Sequence, residues 1–146
     1  PVGPILRKGK EMDRRSFMAL TAAVSLAPAL GSAATSYQPG LVKQLLADGK
    51  TVFVDFTTDW CVTCAAQKRT LATLRQSNPA YDANIVFVSV DFDQHGRKGI
   101  GKELNIPRRS TLVVLKGEDE LGRVVAGTAR SQLKKLLDTA LNAATA

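Results

Sequence analysis

Apolar positions along the chain fall into two periods. Thr51-Val52-Phe53-Val54-Asp55-Phe56-Thr57 and Ile85-Val86-Phe87-Val88-Ser89-Val90 are near-continuous runs of β-branched and aromatic residues. That pattern predicts strands buried on both faces. Between them, from Cys61 to about Ser77, lie mostly good helix formers without Gly or Pro, and Asn78-Pro79 ends the run. Strand, helix and strand at this spacing predict a βαβ crossover and hence a parallel pair. Leu41, Val42, Leu45 and Leu46 share a helical face after Pro39-Gly40, with Gly49 as the stop. After the second strand, Gly96, Gly99 and Gly101 leave room only for a short helix near Lys102 to Leu104 before Pro107. Thr111 to Leu115 and Leu121 to Ala126 read as an antiparallel hairpin, and Leu133, Leu136, Leu137, Ala140 and Leu141 as a final helix with Ser131 as N-cap. The elements sum to an α/β domain with a mixed sheet of about four strands and helices on both faces.

The region before Leu41 has a different character. Asp13, Arg14 and Arg15 lead into an uncharged stretch from Ser16, which closes on the small residues Gly31-Ser32-Ala33-Ala34. Residues 12–34 are therefore expected to be an export signal, too short in their apolar part to span about 30 Å of hydrocarbon comfortably. Arg14-Arg15-Ser16-Phe17-Met18 resembles the twin-arginine motif, with Asp13 and Ala19 as departures that leave general secretion open. Residues 1–11 are read as upstream sequence and residues 35–146 as the folded domain, so the expected location is the bacterial periplasm.

Charge changes meaning once that segment is set aside. The 146-residue chain carries 20 basic and 13 acidic residues. Beyond Ala34 the balance is 15 to 11, and nothing there interleaves aromatic with basic residues, so nucleic acid is not an expected partner. With 45% apolar residues and two cysteines, the chain is neither disordered throughout nor disulfide-scaffolded, and it lacks the thiols for a structural zinc site.

The two cysteines stand in Val54-Asp55-Phe56-Thr57-Thr58-Asp59-Trp60-Cys61-Val62-Thr63-Cys64, where a strand bearing an acid runs into Trp-Cys-x-x-Cys at a helix start. This segment resembles the active site of the thioredoxin family. The Val-Thr insert and the preceding Thr-Asp-Trp resemble most the C-terminal domain of DsbD-type transmembrane reductases. The resemblance spans about Leu41 to Leu141 and implies a thiol-disulfide oxidoreductase of thioredoxin-like fold. Its partners would be protein disulfides and a membrane electron donor of the DsbD type; it would act as a monomer and require no cofactor or metal.

Helix-start thiols sit beside unpaired N–H groups and the positive end of the dipole, which favours thiolate and makes Cys61 the expected nucleophile. Cys64, three residues on, is the expected resolving thiol. A static disulfide is the weaker reading, because closing so short a loop adds little stability. Asp55 in a buried strand should have a raised pKa and serve as proton acceptor for Cys64, a role the resemblance also implies, unless strand alternation turns it to solvent or a cap. Trp60, Arg109, Ser110 and Thr111 are expected around the substrate. Thioredoxins carry a cis-proline just before the strand facing the dithiol; here Ser110 takes that place if Thr111 to Leu115 is that strand, and Pro107 takes it in another register. Losing the proline would put in doubt both the usual substrate docking and the shielding of the dithiol from metals. Arg108 and Arg109 either stabilise a thiolate or form a solvated loop, and His95 is expected on an exposed loop with no catalytic part. Alternatives from other classes are a metal-binding or metal-delivery module on the same thiols, including a cluster shared between two chains, and a non-catalytic interaction domain.

Overall fold

The computed structural model describes residues 33–146. The expected upstream and signal segments lie outside these residues except for Ala33 and Ala34. The described chain runs β1 (Thr35–Ser36), α1 (Leu41–Ala47), β2 (Thr51–Thr57), α2 (Val62–Ser77), α3 (Ala80–Asn84), β3 (Ile85–Asp91), α4 (Phe92–His95), α5 (Ile100–Glu103), β4 (Thr111–Lys116), β5 (Asp119–Val125) and α6 (Arg130–Thr145). Five strands form one sheet in the order β1-β3-β2-β4-β5. β2 is central, parallel to β3 and antiparallel to β4.

Burial on both faces explains why the β2 and β3 runs are almost uninterruptedly apolar. Phe53 and Phe87 turn to the side where Leu71 and Leu74 of α2, Tyr81 of α3 and Leu133, Leu136 and Leu137 of α6 form one cluster. Val52, Val54, Phe56, Val88 and Val90 turn the other way, against Val42, Phe92, Ile100 and Ile106. Strand alternation therefore places Asp55 on the α2 side, two positions from Phe53. Its neighbours across the sheet are Ser89 and Leu112.

Five features differ from the pattern-based expectation. A fifth strand, β1, pairs with β3 through Thr35 and Ser36 alone; two residues are too few for a period to show. Pro79 does not only end α2, since Asn78 Oδ1 accepts from Ala80 N–H at 3.2 Å and a further short helix, α3, starts at once. The hairpin turn is tighter than expected: the strands reach Lys116 and Asp119, with Gly117 at φ 60° making the turn. At α6 the N-cap is Ala129 rather than Ser131, and no side chain caps the helix. The short helix expected near Lys102 is α5, preceded by an additional turn of helix, α4. No helix among the described residues is long and apolar enough to cross a membrane.

Candidate active site

The site lies where β2 runs into α2 and the loop before β4 comes to meet it. Cys61 is the N-cap of α2, with extended backbone geometry, and its sulfur accepts the Cys64 backbone N–H at 3.1 Å. A thiolate at this position takes the place of the usual oxygen cap and satisfies one of the unpaired donors of the first turn. Cys64 lies one turn along. Both thiols are free, Cys61 at 6% exposure and Cys64 at 1%.

The pre-strand loop brings Ser110 between them. Its hydroxyl lies 3.2 Å from Cys61 Sγ and 3.0 Å from Cys64 Sγ, so one group can hydrogen-bond either sulfur. Ser110 thus stands at the junction with β4, opposite the dithiol, and no cis peptide bond occurs among the described residues. Pro107, the other candidate for that place, precedes it by three residues. Ser110 has φ 65°, a left-handed conformation uncommon for a residue with a Cβ. Its backbone holds it there: the N–H donates to Phe56 O at 2.8 Å, and the carbonyl accepts from Ala126 N at 2.9 Å.

Gln67 supplies a third anchor that pattern reading did not single out. Fully buried on α2, it donates from Nε2 to Ser110 O at 3.0 Å and to Gly127 O at 2.9 Å. The signal was present, because Cys64, Gln67, Leu71 and Leu74 form the buried stripe of α2. A lone amide on such a stripe must find partners or incur a desolvation penalty.

The electrostatics of the two thiols' surroundings are unlike. Burial pushes the Cys61 thiol up, but hydrogen bonds from the Cys64 side chain, the Ser110 hydroxyl, the Cys64 backbone and the Arg109 side chain outweigh it and bring it to about 7. Asp55 moves oppositely: burial raises it to about 6, against a smaller lowering by Lys68. One of its oxygens, Oδ1, is buried without a hydrogen-bond partner among the described residues, and no hydrogen bond there joins it to Cys64. The carboxyl borders a recess shared with Lys68 and Ser89, which gives its proton a way out.

Of the other expected site residues, Trp60 and Arg109 come together on the surface. Trp60 is 61% exposed, donates from Nε1 to Asp93 Oδ2 at 3.0 Å and carries the Arg109 guanidinium 4.0 Å above its ring. Arg108 turns away, its Nε donating to Arg109 O at 3.0 Å. Thr111, expected on the docking surface, is instead fully buried, its hydroxyl donating to Arg108 O at 2.7 Å. That bond braces the loop that carries Arg109 and Ser110. His95 packs edge-on against Tyr37, 5.0 Å between ring centroids. No group of three or more His, Cys, Asp or Glu side chains among the described residues is placed to hold a metal ion.

Comparison with known proteins agrees with this geometry. A family model described as Thioredoxin-like matches residues 33–111. A thioredoxin H-type from Brassica campestris is 31% identical over 88 residues, covering 60% of this chain. The chain spans 66% of the length of that relative and of the thioredoxin H-type of Brassica oleracea, which is 30% identical. Among solved structures, Trxlp from Edwardsiella tarda superposes with a TM-score of 0.63 at 28% identity, over 72% of this chain and 98% of that one. The thioredoxin of Malassezia sympodialis shares the fold at TM-score 0.63 and 24% identity, over 77% and 96%.

Proposed function

The chain belongs to the thioredoxin-like family and carries a Cys-x-x-Cys redox motif, and on that premise we propose that it is an exported protein-disulfide reductase. The observation that supports this most is the pair of reduced thiols sharing one hydroxyl, with Cys61 brought to about 7. At neutral pH about half of such a thiol is thiolate, the form that attacks.

In the proposed cycle the Cys61 thiolate attacks one sulfur of a substrate disulfide. The substrate S–S bond breaks, its other sulfur leaves as thiolate, and Cys61 is joined to substrate in a mixed disulfide. Once Cys61 carries no charge, the Ser110 hydroxyl is free to serve Cys64 instead. Cys64 gives up its proton, with ionised Asp55 as the acceptor on the α2 side, and attacks Cys61 Sγ. The second substrate sulfur leaves and takes up a proton. The substrate is now a dithiol and the enzyme holds Cys61–Cys64 as a disulfide, two electrons having passed outward. A dithiol donor must return them. The likeness of Thr-Asp-Trp-Cys-Val-Thr-Cys to the C-terminal domain of DsbD-type reductases favours a membrane donor of that type. The segment over residues 12–34 favours export to the periplasm, and action as a monomer completes the reading.

Direction rests on the thiol. A value of about 7 matches the roughly 7 of thioredoxin rather than the roughly 3.5 of the strong oxidant DsbA, despite Arg109 beside the sulfur. Val62 and Thr63 add no positive charge between the cysteines. The reduction potential is expected nearer about −270 mV than about −120 mV when the protein is equilibrated with glutathione buffers. A potential above about −170 mV would make it an oxidase or isomerase instead. On the same sample, Cys64→Ser should accumulate a mixed disulfide through Cys61, and Cys61→Ser should not.

A further inference from the structure

A basic cleft of about 600 Å³ opens at Arg109, on the loop that faces the dithiol. Arg97, Lys98 and Arg109 line it, and among the described residues none of the three is in a salt bridge. Arg97 and Lys98 are exposed on the segment between α4 and α5. One carboxylate, Asp93, shares the lining, so the wall carries three cations against one anion. Asp93, also on the wall, receives the Trp60 indole N–H, and Asp91 accepts from Asp93 N–H and from the Gln94 side chain. Asp59 lies outside this wall, lining the neighbouring recess with Lys68.

Arg109 ties the cleft to the chemistry. Its guanidinium lies 4.0 Å above the ring of Trp60, the residue before Cys61, its loop neighbour Ser110 hydrogen-bonds both sulfurs, and its side chain forms part of the cleft wall. A substrate strand lying extended past Cys61 advances about 6.6 Å in two residues and puts residues i and i+2 on the same side. A side chain two positions from the attacked cysteine therefore turns to the same side as that cysteine, toward the surface where Arg109 begins the cleft wall.

We propose that this cleft selects protein substrates in which an Asp or Glu lies two residues from the disulfide cysteine under attack. The inference rests on the reductase reading and adds to it the class of sequence preferred. Arg97, Lys98 and Arg109 outnumber Asp93 on the wall, and this net positive charge attracts a carboxylate at low salt and loses most of that attraction at high salt.

The test uses three disulfide-bonded peptides, identical except for Glu, Gln or Lys two residues from the cysteine, reduced by the full protein with a regenerating dithiol. The expected kcat/KM for the Glu peptide is about tenfold above that for the Lys peptide at 20 mM salt and within about twofold at 0.5 M, with Gln between. In Arg97→Glu/Lys98→Glu the order should invert. Equal kcat/KM for all three peptides at low salt, or a preference for Lys, overturns the proposal and leaves the reductase reading standing. Failure to reduce any of the three, the Gln peptide included, overturns the reductase reading and this inference with it.

Discussion

Cys61 and Cys64 lie one helical turn apart and within reach of the same hydroxyl, yet they face different media. On the Cys61 side stand Trp60 at 61% exposure, a stacked guanidinium and a basic cleft open to solvent. On the Cys64 side stand the α2 stripe, a fully buried Gln67 and a carboxyl with a buried oxygen unpartnered among the described residues. The outer environment lowers a thiol and the inner one raises an acid, so that two nearly symmetric sulfurs stand in opposite electrostatic surroundings, the division on which the proposed roles rest. The difference comes from elementary sources. A helix start and a hydroxyl can donate to the outer sulfur, whereas the inner carboxylate lies on the apolar α2 side of β2 and lines a recess with Phe53, Leu71 and Phe87.

The comparison breaks most severely at the element common to both sides. Ser110→Pro would demand φ near −65° where the chain has 65°, and would delete the N–H that donates to Phe56 O. The expected loss is on the order of 3 kcal/mol of folding stability, read from urea unfolding of the reduced protein. Unchanged stability would mean that the loop is free to adopt another path, and that the shared hydroxyl is not built in by the backbone.

Next in size is the inner side taken alone. Asp55 is raised from 3.8 to about 6 in the folded protein, so native chains bind its proton more tightly than unfolded ones. The stability this contributes is fully present below pH 3.8 and lost as pH rises through about 6. Removing the charge with Asp55→Asn should therefore stabilise the reduced protein at pH 8 by up to about 3 kcal/mol and change little at pH 3.5. A difference that is the same at both pH values would show that burial of the charge is not its cause. The same variant should slow resolution of the mixed disulfide, because the acceptor is gone.

The smallest expected effect sharpens the outer side. In Ser110→Ala the Cys61 thiolate keeps the Cys64 and Arg109 donors and loses one hydroxyl, so its titration should move up from about 7 without reaching the ordinary 9.0. A hydrogen bond to a charged group contributes about 1.5–3 kcal/mol, shared here among several donors, so alkylation at pH 7 should slow by roughly threefold to tenfold. An unshifted pH profile of iodoacetamide reactivity would place the hydroxyl with Cys64 instead.

Much of this arrangement was legible from residues whose neighbours in sequence are also their reasons. The β2 and β3 runs, the helix opening at Cys61 and the acid inside a buried strand are local patterns, and Cys61 and Asp55 both lie where those patterns place them. What stayed hidden depends on pairing across the fold. β1 is a strand only because Val88 and Ser89 are there to pair with it. Thr111 is expected around the substrate from its place beside Ser110 at the start of a strand, and it is buried there with its hydroxyl closing the loop onto Arg108. Gln67 needed its two carbonyl partners, 43 and 60 residues away, before its place on an apolar stripe made sense.

The stacked indole beside Cys61 has an optical consequence. Trp60 is the chain's one tryptophan, so red-edge excitation near 295 nm addresses a single fluorophore, next in sequence to Cys61 and in contact with the Arg109 side chain on the cleft wall. Closing a Cys61–Cys64 disulfide would change the quencher next to it, and the proposed uptake of a carboxylate by Arg109 would change the cation above it. The protein thus carries its own reporter, and a stopped-flow emission trace can separate ligand arrival from electron transfer without any attached dye.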